Sequence, residues 1–174
     1  MKRLAALATL AIGTLALGAS VAVAQTTTPK PPPTYEQVII RGWHQTHDKL
    51  LAMAKDSVFP EAKLSYKPHP DSRTMAQELR HVTIGLQMTT AQAKGEKYDF
   101  EAKEKEIDAK PATRAEIVKE MEAAIAASYA VIDAPGYKPP PGLIGWLEHQ
   151  GEHYGKLVTA YRVNGVVPPV SRPK

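Results

Sequence analysis

The sequence predicts an all-α protein, a four-helix bundle with one long crossover between its second and third helices. Three observations carry that prediction. Four segments of roughly twenty residues place apolar side chains at the 3.6-residue period of an amphipathic helix. No stretch of any length alternates apolar and polar residues as a half-buried strand would. Proline clusters and helix-capping signals cut the chain between the four segments.

The first 24 residues stand apart from the fold. Met1, Lys2 and Arg3 make a charged start, Leu4 to Gly18 an apolar run, and Ala22, Val23 and Ala24 a small-residue box before Gln25, the pattern of a secretory signal. The apolar run is shorter than the roughly 20 residues of a membrane span, and the absence of cysteine excludes a lipoprotein anchor. The expectation is an exported, periplasmic bacterial protein, cleaved after Ala24 and without a membrane span thereafter. Residues 25–33 (QTTTPKPPP) read as an extended, polyproline-like leader, and residues 34–174 as a single domain.

Thr34 and Gln37 form a capping-box pattern that opens the first helix, 35–56, with Ile40, Trp43, His47, Leu50, Leu51 and Ala54 on its inner face. Phe59 to Asp71 carries Pro60, Pro68 and Pro70 and is a connection. Thr74 and Gln77 repeat the capping pattern before the second helix, 75–93, faced by Met75, Leu79, Val82 and Leu86. Lys94 to Lys110 alternates acidic and basic residues without apolar periodicity; about seventeen residues is long for a helical hairpin and suits a crossover. Pro111, Thr113 and Glu116 open the third helix, with Ile117, Met121, Ala124, Ile125, Ser128 and Ile132 inward. The segment PGYKPPPG ends it. The fourth helix runs from Leu143 to Asn164, with Leu143, Leu147, Tyr154, Val158 and Tyr161 as its stripe, Gly165 just past its end, and Pro168 and Pro169 barring continuation.

With no cysteine in 174 residues, the folded domain must be held by burial alone. Removing Lys2 and Arg3 with the signal takes the basic residues from 22 to 20 against 18 acidic ones, so the net charge falls from +4 to +2. No basic stripe interleaved with aromatics accompanies that small excess, which argues against nucleic acid as a partner.

The segment LEHQGEHYGKL holds the strongest chemical signal. His149 and His153 stand four residues apart, which stacks their imidazoles roughly 6 Å apart and about 40° around one helix face, a spacing at which both can share one metal ion. They lie between an apolar arc (Trp146, Leu157, Tyr161) and a polar arc (Glu148, Glu152, Lys156), a half-open position. A third ligand must come from another helix. His81 is the best candidate, near the middle of the second helix with Gly85 and Met88 beside it, although it sits off the main apolar stripe. His47 competes as third or fourth ligand; the plainer reading makes it a core histidine bonded to a neighbour. His44 reads as a surface residue and His69, between two prolines, as a loop residue. Glu152 is either a solvated carboxylate, an orienting partner for an imidazole, or a proton shuttle. Trp43, Trp146, Tyr154 and Tyr161 read as core and rim aromatics. No nucleophilic triad, phosphate-binding glycine loop or paired-carboxylate site is present in the pattern.

Three segments together resemble the DinB-like (damage-inducible B, YfiT-like) superfamily of metal-dependent bacterial proteins: LSYKPHPDSRTMAQELRHV, AEIVKEMEAAIAASYAVID and HQGEHYGKLVTAYRVNGVVPP. The likeness extends over nearly the whole chain after the signal. It implies a four-helix bundle in up-down-down-up order and a metal triad at His81, His149 and His153. Characterised relatives include thiol-dependent transferases and isomerases, and many members form dimers, so a homodimer stays open here. Those relatives are mostly cytoplasmic, and an exported member departs from them, because reduced small thiols are less secure outside the cytoplasm.

The leading expectation is therefore an exported protein that binds a divalent ion through His81, His149 and His153 with open coordination positions, a metal-dependent transferase or hydrolase acting on a small molecule. Zinc, nickel, copper and iron all suit three imidazoles. The alternative is a non-catalytic bundle in which the histidines staple two helices together or serve a protein partner, and a metal-free helical adaptor is a third.

Overall fold

A computed structural model describes residues 30–173. The secretory signal expected at 1–24 and most of the leader expected at 25–33 lie outside the described residues. Residues 30–34 have no regular structure. From there the described chain is all-helical, with five α-helices and no strand: α1 Tyr35–Lys55, α2 Met75–Ala93, α3 Phe100–Ala109, α4 Arg114–Ile132 and α5 Leu143–Val163. Two short 3₁₀ turns, Glu61–Ser65 and Pro169–Ser171, complete it. Among the described residues no helix is long and apolar enough to cross a membrane.

Local sequence sets the helix ends. Thr34, Thr74 and Thr113 each cap a first turn by accepting from the backbone N–H three residues on, and Gln37, Gln77 and Glu116 reciprocate. Each such cap is worth about 1 kcal/mol. Gly95 and Gly165 end α2 and α5 with φ of 73° and 74°, left-handed values that a side chain would resist. At α5, Gly165 N–H reaches Arg162 O (3.0 Å) and Val166 N–H reaches Tyr161 O (3.0 Å), which satisfies carbonyls the helix leaves open.

α1 packs on α4 and α5, and α2 packs on the same two helices, so α1 and α2 occupy opposite corners of the ring. The core between them is apolar: Trp43, Leu50 and Met53 of α1, Leu79, Val82 and Leu86 of α2, Ile117 and Met121 of α4, Leu157 and Tyr161 of α5. All six residues expected on the inner face after Thr113 are buried in α4. Trp43 donates Nε1–H to Ser128 Oγ at 3.0 Å, and Tyr161 donates its hydroxyl to Met53 O at 2.9 Å, so the two large aromatics bury their polar ends satisfied.

Two expectations need correction. The charged segment 94–110 is not a bare link, because ten of its residues form α3. Asp99 accepts from Ala102 N–H at the start of that helix, Lys103 pairs with Glu106, and the lone apolar anchor Ile107 is buried. One anchor in ten residues is too little to register as periodicity. The fourth stripe also shifts: Leu143, Gln150, His153, Leu157, Ala160 and Tyr161 are buried, while Leu147, Tyr154 and Val158 are half-buried at its edge. α5 is covered by α1 on one side and α2 on the other, and the arc between those two contacts is the one that loses solvent.

α2 is buried nearly all round, including Glu78, Arg80 and His81. α4, α5 and α3 each take part of its surface. This explains why a histidine off the apolar stripe is nevertheless covered. Arg80 keeps its charge satisfied by donating to Glu120 (3.0 Å) and to Lys110 O (3.0 Å), which ties α2 to the start of α4.

Candidate metal centre

His81 of α2 and His149 and His153 of α5 come together, each offering a nitrogen within 4.8 Å of the others. His47 is not in this group. The pair on α5 follows from helical spacing, with ring centroids 4.4 Å apart; His81 crosses from α2 to 4.7 Å from His153 and 6.2 Å from His149.

Carboxylates set which nitrogen each ring presents. His153 turns Nδ1 to Glu78 Oε1 at 2.6 Å, and His81 turns Nδ1 to Glu104 Oε1 at 2.7 Å. A carboxylate only accepts, so both Nδ1 atoms donate and both Nε2 atoms keep a lone pair. His149 presents Nε2 to His153 Nε2 at 3.0 Å. A first-row metal that takes two imidazole nitrogens at about 2.0–2.1 Å holds them roughly 3.0 Å apart at 90° and 3.4 Å apart at the tetrahedral angle. The donor set therefore fits a divalent ion: three imidazoles, two of them oriented by carboxylates.

Burial grades the three. His153 is 2% exposed and His81 8%, whereas His149 is half-buried beside Trp146, whose ring meets it edge-on at 5.6 Å. The expected half-open position holds for His149 alone; α2 closes over His153 and brings Glu78 with it. A pocket of about 320 Å³ opens beside the triad, lined by all three histidines, Phe100, Trp146, Arg73 and Lys156 among others. Glu152 approaches His149 Nδ1 only to 3.7 Å, beyond hydrogen-bond range, and is exposed.

The electrostatics favour neutral rings at His81 and His149 and ionised carboxylates at Glu78 and Glu104. Burial lowers the pKa of His81, helped by the Arg73 charge and opposed by Glu104. Burial and the neighbouring His153 lower that of His149. Burial alone would raise Glu78 and Glu104, but hydrogen bonds from His153 to the first and from His81 and Arg73 to the second hold both below the ordinary carboxylate range. Neutral imidazole beside carboxylate is the protonation state that binds metal.

The other histidines separate cleanly. His47 is buried at 2% exposure, donates Nδ1–H to Trp43 O at 2.7 Å, packs tilted against the Trp43 ring and leaves Nε2 without a partner. It is the core histidine of the plainer reading. His44 meets Asp133 at 2.9 Å, and His69 lies exposed in the loop beside Asp71.

Sequence reasoning missed Glu78, Glu104 and Arg73. Arg73 reaches Glu104 at 2.6 Å and stands 3.9 Å from Glu78, so one guanidinium lies against both orienting carboxylates. Glu78 had a local signal, a Glu-x-x-His spacing to His81 on one helix face. Glu104 had none, since its helix was invisible.

Residues 42–156 match the sequence pattern of a family described as the DinB superfamily. No curated protein and no solved structure matches the chain significantly.

Proposed function

The chain belongs to the DinB superfamily, and we propose that it is an exported metal-dependent protein in which His81, His149 and His153 hold one divalent ion for transferase or hydrolase chemistry on a small molecule. The observation that carries this reading is the convergence of three imidazoles, two of them held by buried or half-buried carboxylates that occupy Nδ1 and leave Nε2 as the free nitrogen. The chemistry a bound ion supplies is Lewis acidity, which brings the pKa of a water or thiol nucleophile towards neutrality. Everything else falls to the chain. Glu78 and Glu104 fix the rings, Phe100 and Trp146 wall the pocket, and Arg73 and Lys156 give it positive charge. Three protein ligands beside an open pocket suit an ion with positions left for substrate, whereas a purely structural site would be closed by a fourth.

The helix order supports the superfamily's up-down-down-up arrangement, with α3 as an elaboration of the crossover. Gly42 faces Leu147 and Met53 receives Tyr161, a parallel register for α1 and α5. Trp43 with Ser128 and Lys55 with Glu122 run antiparallel for α1 and α4, as do Val82 with Gln150 and Glu78 with His153 for α2 and α5. Export rests on the pattern of residues 1–24, and an intact Leu4 in the protein recovered from cells, seen by mass spectrometry, would contradict it.

Metal analysis of the protein purified from its native compartment tests the centre. His149→Ala and His153→Ala should each lose stoichiometric metal while circular dichroism retains most of the helicity. Unchanged metal content in either variant refutes the assignment. The metal-loaded protein is then screened against thiol adducts and against hydrolysable esters and amides.

A further inference from the structure

Both orienting carboxylates meet the same cation. Arg73 stands one residue ahead of Thr74, whose capping box opens α2, and the chain there is tied down by Met75 N–H donating to Tyr66 O at 3.1 Å. From that fixed start its guanidinium donates Nη2–H to Glu104 Oε1 at 2.6 Å and brings Nη1 to 3.9 Å from Glu78 Oε2. Glu104 Oε1 is the same oxygen that takes Nδ1–H of His81, whereas Glu78 gives its other oxygen, Oε1, to His153. The series His81, Glu104, Arg73, Glu78, His153 is therefore unbroken, and it joins a ligand of α2 to a ligand of α5.

Helix α3 makes this link necessary. It carries Glu104 on ten residues with one buried side chain, Ile107, and α2 is the helix it packs on. So little buried apolar surface leaves an element free to open locally. Polar contacts must hold it instead. Tyr98 to Gln87 and Arg80 to Lys110 O tie down the two flanks, and Asp108 accepts from the Gln77 amide at 3.1 Å. Between these points Glu104 has no partner among the described residues besides His81 and Arg73. A positive charge beside a helix N-terminus also opposes the helix dipole, so the start of α2 is a poor place for Arg73 on the helix's own account.

We infer that Arg73 is a positioning residue for the triad: it holds Glu104 against His81 and braces Glu78 against His153, so that both rings keep Nε2 free to ligate. The inference deepens the metal reading above and rests on it, but the ring orientation can be measured without metal. Two roles for Arg73 predict opposite signs. As a bare positive charge lining the triad pocket it repels a divalent ion, and its removal tightens metal binding. As a positioning residue it orients ligands, and its removal weakens metal binding.

In the full-length processed protein, Arg73→Met should weaken zinc binding by roughly tenfold in a competition assay, with wild-type circular dichroism because the side chain is partly exposed. The same substitution in a Glu78→Gln, Glu104→Gln protein should cause no further weakening, since the carboxylates through which Arg73 acts have lost their charge. Nitrogen NMR spectra of the rings in the chelated protein, at alkaline pH, supply the metal-free readout. His81 and His153 should each hold their proton on Nδ1; Arg73→Met should bring His81 to a mixture of tautomers, while His153, whose partner Glu78 is buried, changes less. Tighter or unchanged zinc binding in Arg73→Met, a further loss of similar size in the Gln background, or a His81 tautomer that survives the substitution overturns the role. Failure of the wild-type protein to bind zinc counts against the metal reading and leaves the tautomer comparison to decide on Arg73.

Discussion

Two histidines buried to the same degree behave as different kinds of residue. His47 and His153 are each 2% exposed, and each sits on the inner face of a long helix. His47 gives its Nδ1–H to a backbone carbonyl one turn back and leaves its other nitrogen buried without a partner. His153 gives its Nδ1–H to Glu78 and faces two further imidazoles. The carbonyl merely satisfies a donor. The carboxylate also fixes the ring and leaves Nε2 as the nitrogen turned away from it, free to ligate. Burial alone therefore says little about whether a histidine is a site; the partner of its second nitrogen decides.

That contrast can be broken at its strongest point. Glu78→Ala should cost about 3 kcal/mol of stability, because it strands a buried imidazole donor, and should weaken metal binding by roughly 10- to 100-fold. Denaturant titration and a metal-buffer competition assay read the two effects, and wild-type metal affinity in this variant would remove the carboxylate from the explanation.

The opposite partner gives a pH effect. Burial drives the His47 pKa from 6.5 down to about 4. As pH falls through that window the unfolded chain takes up the proton first, so the stability present above pH 6.5 is lost towards pH 4, by up to about 3 kcal/mol. His47→Leu should remove that share of the acid sensitivity, measured as unfolding free energy against pH, while keeping full metal content. Loss of metal from this variant would mean that the two histidines are not separable.

A smaller effect is expected from Glu104→Gln. Glu104 lies partly exposed on α3, so the change should cost under about 1 kcal/mol, yet metal should bind roughly tenfold more weakly. The smallest is Glu152→Ala, for which both readouts should stay within about 0.5 kcal/mol, as for an exposed side chain 3.7 Å from its nearest imidazole. A tenfold loss of metal there would restore Glu152 as an orienting partner.

Gly85 shows how tightly the α2–α5 seam is drawn. A Cβ at this position would meet Gln150 Nε2 at 3.1 Å, and that amide donates to Val82 O. Gly85→Ala gains about 1 kcal/mol of helix propensity but presses on a buried side chain that also lines the triad pocket.

Much of the molecule was legible without its coordinates. The threonine caps at 34, 74 and 113, the buried face of α4, Gly165, and the pairing of His149 with His153 are all written within four or five residues of one another. Helical periodicity and capping are local physics, and local physics survives in the sequence. His81 stood out as third partner by its place near the middle of α2, and the family resemblance pointed to the same residue, although nothing in its own helix points to α5.

Tertiary structure alone decided the rest. Glu104 lies 23 residues from the histidine it orients, and Glu78 lies 75 residues from its own. Helix α3 exists because Asp99 caps it and Ile107 anchors it, a signal too thin for any periodicity to show. The sequence determined which nitrogens could be ligands; packing decided which of them face one another. The reason is that a side chain's chemistry travels with the residue, whereas the partner of its second nitrogen depends on which helix face arrives opposite it.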